Sequence, residues 1–233
     1  MRLYVLQLGL SATGSPVPGY LIQTDDGKNV LVDTGYDESY YRREGPDGRT
    51  GEANWVVNRL AEIGLKPDDI DYVVSTHLDG DHAGSHDQFP NSEFVVQRAH
   101  DEAARGGMER FQRTRPQWDR PGMRYRLVDG DTELLPGIEL IETSGHVPGH
   151  QSVLVRLPKT GPVLLAIDAM SQSFEGYTPE TRPTGSYDAD PEGTRRSTRK
   201  LVDLAEREGV TLTIYGHDAE KWKPLKKSPD YYE

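Results

Sequence analysis

An α/β fold of two sheets packed face to face, with helices on the outside, is what this sequence predicts. Three observations carry that reading: short apolar strands fall into two groups along the chain, each group is accompanied by helix-period segments, and polar clusters follow directly on strand ends. A length of 233 residues allows a large core, and residues 1–233 read as a single domain. With 34 % hydrophobic residues but 24 Gly and 16 Pro, a loop-rich globule fits better than a bundle or a fibre.

Residues 3–8 form an apolar run that reads as the first strand, and the Ser, Gly and Pro of 11–19 as a loop. Segments 20–23 and 30–33 flank Asp25-Asp26-Gly27, a turn signal that joins two short strands in a hairpin. Residues 53–63 place Trp55, Val56, Leu60 and Ile63 at helical spacing, with Gly64 as the stop. Strands follow at 70–75 and 94–97, with a short helix at 100–105. The stretch 106–125 holds five Arg, with Phe111, Trp118 and Met123 among Pro and Gly at no clear period, and reads as a long loop or lid. Strands return at 125–128, 138–143, 152–157 and 163–167; a helix covers 192–208, and a last strand at 211–215 runs into Gly216-His217-Asp218.

Charge and composition exclude several functions. The net charge of −11 repels phosphate backbones and anionic headgroups, so neither nucleic acid nor membrane is an expected partner. With no Cys, disulfide scaffolds, Cys-zinc modules, iron–sulfur clusters and thiol nucleophiles are ruled out. No apolar run approaches the roughly 18 residues of a membrane span. Gln7 interrupts the apolar start, which fits a strand better than a signal peptide, so a cytoplasmic location is expected.

Five of the seven His residues fall in small clusters at strand ends. His77-Leu78-Asp79-Gly80-Asp81-His82 sets four potential metal ligands within six residues, directly after an apolar strand. In a tight turn, alternate side chains converge on one point while Asp81 and His82 address a second. Imidazole and carboxylate without sulfur suit zinc, iron(II) or manganese. Further clusters are Ser144-Gly145-His146-Val147-Pro148-Gly149-His150, Asp168 at the end of its strand, and His217. Asp79-Gly80-Asp81 does not make a calcium loop, since the EF-hand pattern is absent and neutral His is a poor calcium ligand.

These residues resemble the metallo-β-lactamase superfamily and, within it, the N-acyl homoserine lactonase-like hydrolases. The matching stretches are Leu31-Val32-Asp33-Thr34-Gly35, Ser75-Thr76-His77 through to Gly84, Gly145-His146-Val147-Pro148-Gly149-His150-Gln151-Ser152, Ile167-Asp168-Ala169 and Gly216-His217-Asp218, in family order. The resemblance implies an αββα sandwich with two divalent metal ions, zinc being expected and iron or manganese the alternatives. It implies that His77, Asp79 and His146 hold one ion, that Asp81, His82 and His217 hold the other, and that Asp168 bridges them. Asp33 would orient a ligand or pin the loop, and His150 would be a structural partner. The implied activity is opening of a lactone, such as an N-acyl homoserine lactone, by attack of a metal-bridging hydroxide, with Asp81 passing a proton to the leaving alkoxide. Homodimers are common among such enzymes, and a homodimer is the expected assembly.

Two departures stand out. The family motif is His-x-His-x-Asp-His, whereas position 79 is Asp. Two divalent ions, three carboxylates and a hydroxide leave a neutral centre where the usual motif leaves one positive charge. Such a centre should polarise a carbonyl less and favour harder metals. Where the lactonases usually carry a Tyr three residues after the bridging Asp, this chain has Ser171; Tyr177 is nearby in sequence only. His86 and His100 match nothing and are expected to face solvent, and the Arg of 105–126 to form a solvated, ion-paired loop. Rival functions are a hydrolase of other esters, thioesters, β-lactams or small organophosphates on the same scaffold, an oxygen-handling iron enzyme, and a non-catalytic metal-binding protein.

Overall fold

The structure, a computed structural model, describes residues 1–11, 13–42 and 51–233. Ala12, inside the predicted 11–19 loop, lies outside the described residues. Two mixed sheets carry the fold. The first has six strands in the order β1 (Arg2–Leu10), β2 (Pro16–Gln23), β3 (Asn29–Val32), β4 (Tyr72–Val74), β5 (Glu93–Gln97) and β6 (Arg124–Val128). β1, β2 and β3 pair antiparallel, and β3 to β6 run parallel. The second sheet is ordered β11 (Leu212–Tyr215), β10 (Gly161–Ile167), β9 (Gln151–Leu157), β8 (Ile138–Glu142) and β7 (Thr132–Leu135). Only β10 and β11 are parallel there.

Period-2 alternation decides which side chains fill which layer. In β1, Leu3 and Val5 join the cluster between the sheets, whereas Tyr4, Leu6 and Leu8 lie on the other face. The inter-sheet cluster joins Val30, Val32, Val74 and Val95 of the first sheet to Val153, Val155, Val163 and Leu165 of the second. Outside the first sheet, Leu21, Leu31, Val73 and Phe94 meet Val56 and Leu60, which lie on the helix Val56–Glu62. Outside the second, Leu154, Leu164 and Ala166 meet Leu201 and Leu204 of the helix Pro191–Glu208. That helix begins with Pro at its first position, where a missing N–H costs nothing, and stops at left-handed Gly209. Among the described residues, no helix is long and apolar enough to cross a membrane.

Three local expectations are corrected. The loop after β1 ends earlier, because Pro16 already opens β2. β7 was not anticipated, its four residues burying Leu134 alone. The 106–125 stretch is not an open lid: it contains the one-turn helices Glu109–Gln112 and Arg115–Trp118, and Phe111 and Trp118 are fully buried with Leu78, Ala104 and Val147.

The strand ends needed for a site meet on one rim. β4 runs into 77–82, the β8–β9 link holds 146–150, and β10 and β11 run into Asp168 and His217. Gln151 ties the sheets together at that rim: its backbone N–H donates to Thr76 O (3.2 Å), and its side-chain amide donates to Ser75 O (2.9 Å) and Val95 O (3.1 Å).

Candidate metal centre

The backbone around this rim is shaped for close approach. Asp79 starts a single helical turn, Gly80–Ala83, which carries Asp81 and His82 and brings the His82 ring to 3.9 Å from the His77 ring. Before Asp168 the β10–β11 register shifts, and Ile167 takes φ 52°, a strained value for a β-branched residue that costs about 1–3 kcal/mol. The turn swings the carboxylate of Asp168 off the sheet and onto the rim. Gly216 is required beside it, because a Cβ there would stand 2.5 Å from Asp168 Oδ1 and 2.8 Å from Ile167 O.

Four imidazoles then address the centre in the same way, with Nδ1 spent on the protein. His82 Nδ1 lies 2.8 Å from Asp33 Oδ2, His217 Nδ1 donates to Pro16 O (2.8 Å), and His146 Nδ1 to Asp188 Oδ1 (3.2 Å). The Thr76 hydroxyl gives its one proton to Asp33 Oδ2 (2.7 Å), so it accepts from His77 Nδ1 (3.1 Å). Each ring therefore presents Nε2, the arrangement that orients histidine toward a cation.

The Nε2 atoms surround Asp168. Its Oδ2 is 3.6 Å from His77, 3.6 Å from His82 and 3.3 Å from His146, and its Oδ1 is 3.1 Å from His217. Asp79 Oδ2 is 3.3 Å from His77 Nε2 and 3.5 Å from His146 Nε2, while Asp81 Oδ2 is 3.7 Å from both His82 Nε2 and His217 Nε2. The structure thus brings all seven residues singled out in the sequence together. Three groups have ligand atoms close enough to share an ion: His77, Asp79 and His146; Asp81, His82 and His217; and His77, His82 and Asp168.

Whether a cation suits these groups can be judged from what they lack. His77 Nε2, His82 Nε2 and Asp168 Oδ1 are buried and make no hydrogen bond, a costly state unless something else satisfies them. Two donors bound at about 2.0–2.1 Å to one tetrahedral ion lie about 3.3 Å apart, close to the separations seen here. An all-nitrogen-and-oxygen set fits zinc, iron or manganese.

The ionisation pattern agrees. Burial, followed by the nearby His82, pushes His77 down to about 3. Burial works against a charge on Asp168, yet His217 and His82 hold its carboxyl well below the usual range. For His217, burial is outweighed by Asp168 and Asp81, which push it up to about 9. A carboxylate cage that attracts a proton to imidazole attracts a divalent ion in its place.

His150 lies behind this layer, fully buried, with Nδ1 on Thr143 Oγ1 (2.8 Å) and Nε2 accepting from Asp168 N–H (3.3 Å). Asp33 is buried as well, and Thr76 N–H (2.9 Å) adds to its bonds with Thr76 Oγ1 and His82. His86 and His100 do not face solvent: both are fully buried. His86 bridges Thr34 Oγ1 (2.9 Å) and Ser75 Oγ (2.8 Å), and His100 accepts from Leu78 N–H (3.0 Å) and donates to Pro148 O (2.7 Å), linking the 77–82 turn to the 146–150 link. Distant partners satisfy both rings, so neither needs water.

A pocket of 930 Å³ opens over the centre; Asp79, Asp81, His146, Asp168 and His217 line it. Tyr36, Phe174, Pro183 and Tyr187 add apolar surface. A second hollow of 690 Å³ follows the charged outer side of Pro191–Glu208 and includes none of the seven residues. Ser171 lines the first pocket, whereas Tyr177 is largely exposed. Two pocket residues had no sequence signal: Asp188, one of several acidic side chains in a long irregular stretch, which steers His146, and Arg110, which pairs with Asp79. Other Arg of this region do pair on the surface, as expected, Arg105 and Arg115 with Asp119 and Arg120 with Asp87.

Residues 12–217 match the family model of the metallo-beta-lactamase superfamily. The chain belongs to that superfamily. A relative described as an N-acyl homoserine lactonase from Bacillus sp is 37 % identical over 226 residues, covering 93 % of this chain and 86 % of its own length. An N-acyl homoserine lactonase AttM from Azorhizobium caulinodans is 35 % identical over 239 residues, covering 94 % and 88 %. Among solved structures, an N-acyl homoserine lactone hydrolase with its product N-hexanoyl-L-homoserine at the catalytic metal center superposes with a TM-score of 0.85 at 32 % identity, covering 99 % of this chain and 98 % of that one. As a metallo-beta-lactamase superfamily member, the chain has the two-sheet architecture of these structures, as its sequence predicted.

Proposed function

We propose that this protein is a metal-dependent hydrolase that opens lactones, with N-acyl homoserine lactones as the substrate class. The observation that carries the reading is the convergence of four inward Nε2 atoms and three carboxylates at the floor of an open pocket. Relatives at 35–37 % identity over nearly the whole chain are lactonases by name, which supports the substrate class.

His77, Asp79 and His146 would hold one divalent ion, Asp81, His82 and His217 a second, and Asp168 would lie between them. Bound there, zinc, iron or manganese supplies Lewis acidity and lowers the pKa of water toward neutrality. The remaining work falls to the chain. Asp33, Asp188 and the Pro16 carbonyl hold three imidazoles by Nδ1, so Nε2 needs no reorganisation as the reaction proceeds. Asp81 lines the pocket and is the group placed to carry a proton to the ring oxygen as the ester bond breaks, since an alkoxide is a poor leaving group unprotonated. Hydrolysis consumes one water and leaves an open hydroxy acid. Tyr36 lines the same pocket as Ser171; burial, with Asp81 close by, raises its phenol well above the usual range and keeps it a hydrogen-bond donor.

A panel of N-acyl homoserine lactones, simple aliphatic lactones and linear esters tests the assignment. The acyl homoserine lactones should be opened fastest, and Asp81→Asn should lower kcat far more than it raises KM. Faster cleavage of linear esters than of any lactone would contradict it.

A further inference from the structure

One of the two groups already faces a cation. Arg110, on the one-turn helix Glu109–Gln112, forks Asp79: Nε stands 2.7 Å from Oδ1 and 3.0 Å from Oδ2, and Nη2 donates to Oδ2. The same Nη2 lies 2.8 Å from His146 Nε2. Asp79 Oδ2 and His146 Nε2 are two of the three atoms that make up the His77, Asp79 and His146 group. The guanidinium stands where an ion bound to Nε2 would be, and Nδ1 is turned away toward Asp188.

The guanidinium is held in place from behind. Phe111, the next residue, is fully buried, and Arg110 Nη1 donates to Tyr187 O. A bidentate fork onto a carboxylate is also the geometry in which arginine binds most strongly. Histidine at position 79 could not accept such a fork, so Asp79 and Arg110 operate as one unit.

Nothing comparable opposes the other group. Among the described residues, no Lys or Arg forms an ion pair with Asp81 or Asp168. Asp168 lies between the groups and counts for both, so the difference is that Asp79 is neutralised by Arg110 whereas Asp81 has no such partner. Coulomb attraction for a divalent ion therefore differs sharply between two positions that otherwise offer similar ligands.

We propose that Arg110 is an internal counter-cation that competes with a divalent ion for the His77, Asp79 and His146 group, so that the Asp81, His82 and His217 group fills first. This rests on reading both groups as cation sites. The second ion must displace the guanidinium from Asp79 Oδ2 and His146 Nε2, which makes occupancy of the first group dependent on free metal concentration.

Metal-stripped protein titrated with Co(II), followed by its visible absorption and by calorimetry, tests this without reference to turnover. The wild-type chain should bind in two resolved steps. Arg110→Gln should tighten the weaker step by about tenfold or more, the scale of a lost charge-assisted hydrogen bond, and leave the tighter step unchanged. Arg110→Met repeats the test with the aliphatic stem retained, should Gln disturb the helix. In an Asp79→His background the fork is gone and only the contact to His146 remains, so Arg110→Gln should tighten the weaker step by less than it does in the wild-type chain. Two equally tight ions in the wild-type chain, or an unchanged or weakened second step in Arg110→Gln, would overturn the inference while leaving lactone hydrolysis standing. A chain that binds no ion in any variant would overturn both.

Discussion

His82 Nδ1 stands 2.8 Å from Asp33 Oδ2, both groups being fully buried and 49 residues apart in the chain. Asp33 has φ 59°, just beyond β3, and this turned backbone aims its carboxylate across the rim at Thr76 and His82. One side chain thus sets both the 76–77 backbone and the tautomer of a ring in the site.

Asp33→Asn keeps the size of the group but removes its charge and offers His82 an ambiguous partner. Metal affinity should fall by about 10- to 100-fold, as is usual when the carboxylate behind a ligating histidine is lost. A competition titration against a chromophoric chelator measures it; an unchanged affinity would show that Asp33 only caps a turn.

Gly216→Ala introduces a methyl group 2.5 Å from Asp168 Oδ1, where none fits. Either the carboxylate or the β10 backbone must move. Displacement by about 1 Å is enough to cost on the order of 100-fold in rate. Lactone turnover should fall by that order with the fold retained by circular dichroism, and full activity would show that Asp168 tolerates displacement.

Phe111 is fully buried beside Leu78, Val147 and Trp118, and His100 stacks edge-on at 4.8 Å. Phe111→Ala should cost about 3–5 kcal/mol in urea unfolding, as for other buried aromatics. A loss below about 1 kcal/mol would mean that the segment behaves as a surface loop after all.

His86 gives a pH dependence of stability. Burial, and then the nearby His82, hold its folded pKa down to about 3, against an ordinary value of 6.5. Between those values the unfolded chain binds a proton that the folded chain does not. Stability therefore falls as pH falls through this window, by up to about 1.4 kcal/mol per pH unit for this one group. Urea unfolding of wild type and His86→Gln at pH 7.5, 6.5 and 5.5 checks the sign: the wild type should lose stability more steeply toward acid, and equal slopes would exclude the effect.

The strands that could be read directly are those whose burial shows in local pattern. In β9, Val153, Leu154 and Val155 are all buried, because sheet two is covered on both sides there, and the apolar run says so. β7 buries Leu134 between exposed Glu133 and half-buried Leu135, too little for a period to register. That these seven candidate residues would converge was legible because the clustering of His and Asp at strand ends, reinforced by family resemblance, is itself a local signal. What lies behind them was not. His86 and His100 are buried by virtue of Thr34, Ser75, Leu78 and Pro148, partners that only the tertiary fold supplies. Arg110 looks like one more cation in an Arg-rich stretch until the chain brings Asp79, 31 positions away, against it. The deficit of positive charge inferred from Asp79 alone is answered by that guanidinium.

The account depends above all on divalent ions at the seven-residue centre being required for lactone opening. The most direct measurement is turnover of an N-acyl homoserine lactone by chelator-stripped protein, with metal content verified by elemental analysis, before and after stepwise addition of zinc, manganese or iron(II). Turnover should vanish on stripping and return as ions are restored, reaching its maximum by two per chain. Undiminished turnover in protein verified to be metal-free would contradict it.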